Sequence, residues 1–207
     1  MEYGDLILTP AWTWHEHRHD GDKPVLWLDA LDVPLHAYLG TARFQPPPVM
    51  DMPETWADST FEVANFLPAE IPGHFTHSPI FRYSYADAQK ALRDAPRAAD
   101  GSATIRYTNP LDGKQAQPLL DCTMLQIEAG KPTQKMRSNA STACVVVKGK
   151  GRSVIGDEVI EWNEKDFFTL PQGNWASHEA LSDEAHIFML SDRDVMRRLG
   201  FLNEEIA

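Results

Sequence analysis

The stretch GDLILTPAWTWHEH, Gly4–His17, decides how the rest of the chain reads. A short apolar run follows a Gly-Asp pair, a proline ends the run, and Trp12 and Trp14 lead into His15 and His17. Beyond the turn-like AWTWHEHRHDGDK comes a second apolar run, PVLWLDALDVPL. The first 35 residues therefore predict strand, turn, strand. Two short strands bury no core by themselves, so they must belong to a larger unit. On a strand, His15 and His17 would point to the same face. An HxH of this kind is one way to offer two imidazole nitrogens to one transition-metal ion. The same residues also fit solvated turn histidines or histidines bonded to backbone.

Composition narrows the classes of function. The 207 residues are 43% apolar and 24% charged, ordinary for a soluble globular protein. A net charge of −11 without a basic cluster makes nucleic acid and anionic membrane poor partners, since both need Lys and Arg to neutralise phosphate. No run reaches the ~20 apolar residues of a membrane helix. The first residues lack the basic-then-apolar pattern of a signal peptide. With Cys122 and Cys144 set singly in apolar runs, the thiols read as buried and free, and the expected compartment is the cytoplasm.

The chain divides into four stretches. Residues 1–35 carry the histidine motif. Residues 36–103 form a proline- and aromatic-rich arm (QPPPVMDMP, then Phe61, Phe66, Phe75, Phe81, Tyr83 and Tyr85) whose aromatics predict packing against another surface. Within it, SYADAQKALRD predicts a helix capped by Ser84 with Asp87 as its capping-box partner, ended by Pro96. Residues 104–191 hold short apolar or alternating runs (LLDCTMLQIEAG, TACVVVKGKG, RSVIG, DEVIEW, KDFFTLP, AHIFMLS) spaced as in an antiparallel sandwich or barrel. Residues 192–207 predict a short terminal helix, capped by Ser191 or Asp192 and ended at Gly200, with Val195, Met196 and Leu199 packed on the barrel.

A weak internal repeat links the two ends. GDLILTPAWTWHEH and KDFFTLPQGNWASHE share an Asp, an apolar strand, a proline, a tryptophan four residues later and a nearby histidine.

The spacing of Gly4, Pro10, Trp12 and His15 resembles the second conserved motif of the cupin superfamily, with Trp where many cupins have Gly. With WLDALDVPL, IRYTNPLDGKQAQPLL, VVVKGKG and SDRDVMRRLGFLNEE, the chain resembles the gentisate 1,2-dioxygenase family over most of its length, together with its salicylate and 1-hydroxy-2-naphthoate relatives. The resemblance implies a mainly β protein: a cupin double-stranded β-helix, or jelly-roll barrel, preceded by the end of a first cupin and a linker with short helices. Members are homotetrameric bicupins that use Fe(II) and O2 to open the ring of a small aromatic hydroxy acid such as gentisate, giving maleylpyruvate.

Residue by residue, the resemblance makes His15 a metal ligand. The other two histidines, as an HxH, and the carboxylate-binding arginines belong to sequence preceding this motif, so the chain is expected to be a truncated form, inactive alone. His17 matches a position beside the substrate, and Asp29 a pocket acid that orients the substrate or a supporting histidine. In the later barrel, Met136 and Ser138 stand where an HxH belongs and Ala176 where the motif-two histidine belongs, so no metal is expected there. His178, His36, His186 and the His74/His77 pair read as structural or solvated, and Arg137 as a salt-bridge partner within the barrel. The alternative from another class is a non-enzymatic cupin module for oligomerisation or small-ligand binding.

Overall fold

Two five-stranded antiparallel sheets face each other over residues 103–206 in the computed structural model, which describes residues 1–11, 13, 15–45, 58–61, 63, 66–70 and 76–207. The chain opens with β1 (Leu6–Ile7) and α1 (Val33–Tyr38), then β2 (Arg82–Tyr83) and α2 (Tyr85–Asp94). The barrel strands follow as β3 (Ala103–Arg106), β4 (Asp121–Glu128), β5 (Met136–Ser138), β6 (Thr142–Lys148), β7 (Lys150–Ile155) and β8 (Glu158–Asn163). The chain ends with β9 (Phe167–Leu170), β10 (Ala176–Ala180), β11 (Glu184–Ser191), α3 (Arg193–Arg198) and β12 (Glu204–Ile206). One sheet has the order β3-β4-β11-β6-β9 and the other β12-β5-β10-β7-β8. This is the expected mainly β jelly-roll architecture.

Alternation along the strands creates two cores. On β4, β6 and β11 one set of side chains (Leu125, Ile127, Cys144, Val146, Ala185, Ile187) points between the sheets, against Ile155, Trp162, Phe168, Ala176 and Ala180. The opposite set (Cys122, Met124, Val147) points outwards, where Leu8 of the first segment and Ala88 and Leu92 of α2 cover it. Burial on both faces explains why β4 and β6 read as nearly continuous apolar runs. The covering helix starts as predicted: Ser84 Oγ accepts from the Asp87 amide at 3.1 Å and donates to Asp87 Oδ2 at 2.8 Å. Ala88 and Leu92, one turn apart, then face the sheet.

Three expectations need correction. The run at Pro24–Leu35 is no strand: residues 24–32 carry no regular structure, and Val33–Tyr38 is helical with Pro34 in its first turn. A strand needs a neighbour for its backbone groups, and among the described residues none pairs here, whereas Pro34 suits a helix start. The terminal helix ends just before Gly200 (φ +76), as expected, but the residues beyond it are not helical: Glu204–Ile206 pair with β5 at the sheet edge. Its buried residue is Asp194, held by Gln115, Arg197 and Arg198, while Leu199 is exposed. Finally, β5 and β10 form strands that their apolar pattern did not predict.

Candidate metal centre

The histidine motif is anchored at one end. β1 pairs with β2, Leu6 opposite Tyr83 and Ile7 opposite Arg82, and the Leu8 amide donates to Phe81 O at 2.7 Å. Asp5, whose side chain is 2% exposed, accepts from the Tyr85 amide at 3.0 Å and from Arg82 Nε at 2.8 Å. Gly4 adopts φ +80, and a Cβ there would lie 2.8 Å from the Tyr85 ring and 2.9 Å from Val147. Only glycine combines that backbone with so close an approach. Tyr3 adds a hydrogen bond to Val147 O at 2.8 Å.

After this anchor, residues 15–31 are all exposed and lack helix or strand. His15 and His17 stay together, their rings edge to face with centroids 5.7 Å apart, and the His17 ring lies 5.2 Å from that of Trp27. His19 is engaged otherwise, its Nε2 lying 2.7 Å from Lys23 O. Asp29 is exposed on the same irregular segment. Trp12 and Trp14 lie outside the described residues, as does His74. His77 Nδ1 lies 2.6 Å from Ser78 O, so this histidine is engaged with backbone.

The later copy of the repeat shows what the motif does inside a closed barrel. Matching proline to proline, Pro171 for Pro10, puts Ala176 at the place of His15 and His178 at that of His17. Ala176 and Ala180 belong to the core between the sheets, Ala176 sits opposite Met136, and His178 is 6% exposed between them. His178 is thoroughly bonded: Ser153 Oγ lies 2.7 Å from Nδ1, and its amide donates to Thr133 Oγ1 at 2.9 Å. Burial drives its pKa down to about 4, which keeps the ring neutral. Arg137 is also structural, 2.6 Å from Glu205 and stacked over Trp175 at 4.9 Å.

His186 is buried on the outer face under α2. The Tyr85 hydroxyl lies 2.7 Å from its Nδ1, and burial first, opposed by Glu184, lowers its pKa. His36 bonds to Thr41 at 2.9 Å. Among the described residues neither belongs to a ligand cluster. Sequence reasoning missed the anchoring by Asp5 and Arg82; the only signal for it was the Asp shared by both copies of the repeat.

Curated relatives match this chain over nearly its whole length in sequence. Gentisate 1,2-dioxygenase 1 of Aquipseudomonas alcaligenes is 35% identical over 211 residues, 99% of this chain and 60% of the relative. The 5-aminosalicylate 1,2-dioxygenase of Comamonas sp is 34% identical over 99% of the chain and 56% of its own length. Salicylate 1,2-dioxygenase of Pseudoaminobacter salicylatoxidans, solved with gentisate, superposes over 100% of this chain with a TM-score of 0.87 at 28% identity.

The chain belongs to the gentisate 1,2-dioxygenase family.

No family model matches it. The chain spans between 55% and 62% of the length of these curated gentisate-type relatives. For a member of the gentisate family, the donor set bears on the metal. Among the described residues, no group of three or more His, Cys, Asp or Glu is placed to hold an ion. His15 and His17 offer two neighbouring imidazoles, so these residues alone do not fit a three-histidine iron site. Among the described residues no helix is long and apolar enough to cross a membrane.

Proposed function

We propose that this chain is the substrate-proximal and C-terminal part of a ring-cleaving dioxygenase of gentisate type, in which His15 is one of three histidine ligands to Fe(II). The carrying observation is the end-to-end match to gentisate and salicylate dioxygenases. The internal repeat supports the site: the residue equivalent to His15 points between the sheets of the closed barrel, as a ligand in a completed first barrel would. The segment after the motif also exposes Leu26, Trp27, Leu28 and Leu31, the side chains of a surface that packs against more protein.

In this reading residues 1–35 finish a first cupin, 36–103 link it to the metal-free cupin of 104–191, and 192–207 close the chain. The remaining ligands come from the part of the relatives that this chain does not span. Ring opening adds both atoms of O2 to gentisate and yields maleylpyruvate. His17 holds a substrate oxygen and moves a proton, a role open to an imidazole, which can both donate and accept one. Asp29 orients the substrate. The whole enzyme is a cytoplasmic homo-oligomer, and the 207 residues alone are inactive, because one ligand imidazole holds ferrous iron too weakly.

The test is oxygen uptake. The chain fused behind the unmatched portion of the Aquipseudomonas relative, loaded with Fe(II), is expected to consume O2 with gentisate or a related hydroxy acid, and His15→Ala to abolish it. Uptake undiminished in His15→Ala overturns the ligand assignment. The second reading, a non-enzymatic cupin module, is favoured only by Met136, Ser138 and Ala176 at the ligand places of the complete barrel. Its signature is a stable oligomer of the chain alone with no oxygen uptake in the fusion.

A further inference from the structure

The His15–His17 pair lies on an irregular, fully exposed segment, yet that segment leaves the protein body from a sharply defined point. On its N-terminal side the last fixed residues are Gly4–Leu8, with Leu8 buried in the outer core. These residues contact the body through β2 and the first turn of α2. Asp5 carries the polar part of that contact. Its carboxylate bridges three groups: the Tyr85 amide at 3.0 Å on Oδ1, and Arg82 Nε and the Glu2 amide, both at 2.8 Å, on Oδ2. Arg82 Nη2 also lies 3.4 Å from Glu2. Tyr85 in turn reaches His186 on β11 at 2.7 Å, so the anchor is continuous with the central strand of one sheet.

A buried charge held by an arginine and a helix-start amide has one low-energy arrangement. Moving β1 along β2 would break both contacts at once. Asp5 therefore fixes register as well as stability.

We infer that Asp5, through Arg82 and the Tyr85 amide, is a positioning residue that sets where His15 and His17 stand relative to the C-terminal barrel. The inference rests on the proposed ligand role of His15 for its functional meaning, though not for its geometry. A second barrel without ligands thereby acquires a task, since it is the platform from which the metal-bearing motif is aimed.

The test measures position without metal. In the unaltered 207-residue chain, Cys122 and Cys144 are buried, so spin labels attach selectively at Glu16→Cys and Asp157→Cys, both exposed. The dipolar distance distribution between them is expected to broaden at least twofold in Asp5→Asn, which keeps the shape and loses the charge. Arg82→Gln, which attacks the same pair from the other side and survives if Asp5→Asn fails to fold, should broaden it likewise. A control pair within the barrel, Asp157→Cys with Asp183→Cys, should keep its width in both variants, which separates positioning from general loosening. An unchanged Glu16–Asp157 distribution in both variants overturns the inference, as does equal broadening of the control pair. Failure of the ligand reading shows separately, as the absence of a Co²⁺-induced shift of the His15 ring resonances in the unlabelled fusion protein.

Discussion

Ser153 Oγ lies 2.7 Å from His178 Nδ1 in the barrel interior and accepts the Trp162 indole N–H at 2.9 Å. The serine oxygen can give its proton to Nδ1 or accept one from it, and burial keeps the ring neutral in either tautomer. The complete barrel thus holds a short polar relay at the place where the first copy of the repeat carries His17.

This relay makes stability depend on pH in one direction. The His178 pKa falls from 6.5 in the unfolded chain to about 4 in the fold. The unfolded state binds the extra proton first, so the stability due to the neutral ring is whole above pH 6.5 and lost as pH falls towards 4. The expected loss is about 3 kcal/mol. Urea denaturation at intervals between pH 7 and pH 4 measures it, and His178→Gln should flatten the slope. An equal slope in that variant assigns the effect elsewhere.

Removing the relay should cost more than its hydrogen bonds. His178→Ala opens a cavity and strands the Ser153 hydroxyl, an expected loss of about 2–4 kcal/mol. Trp162→Phe removes the donor and also leaves a smaller ring against Phe168, for about 2–3 kcal/mol. Denaturant midpoints at pH 7.5 measure both variants, and no loss in either would contradict the assigned hydrogen bonds.

Two glycines should resist even alanine, for different reasons. At Gly4 the backbone is left-handed and Tyr85 is close, so Gly4→Ala should cost about 2 kcal/mol and loosen the first segment. Gly151 has no unusual φ, but a Cβ there would sit 2.2 Å from Glu179 O and from the Trp162 ring. Gly151→Ala should destabilise the barrel by about 3 kcal/mol. Hydrogen exchange distinguishes them: the first exposes β1 and β2 amides selectively, the second those of β7, β8 and β10.

The thiols should stay silent. Burial pushes the Cys122 thiol up to about 12 and moves Cys144 the same way. Iodoacetamide at pH 8 is expected to leave both unmodified in the folded chain and to alkylate both in denaturant. Rapid alkylation of the native protein would place one of them at the surface.

The barrel was legible because its strands bury one or both faces, and burial writes itself into sequence as alternation or as apolar runs. β5 and β10 were not, because MRS and ASHEA pack small or polar side chains where neighbours fill the space. Pro24–Leu35 misled for the opposite reason. It has a strand's composition, yet pairing is a property of the partner, which no local pattern reports. His15 and His17 were recognisable from their spacing with Gly4 and Pro10, and the structure keeps their rings adjacent. The Asp5–Arg82 contact spans 77 positions, a separation at which complementary charges leave no periodic trace.

The double-faced burial of β4 and β6 has a consequence for how such proteins change over time. With Leu8 and α2 serving as the outer wall, a gene rearrangement that excised the leading segment would leave Met124 and Val147 wet and the product prone to clump. Barrel, Leu8 and α2 therefore stand or fall as one cooperative unit, since neither side keeps its apolar surface dry without the other.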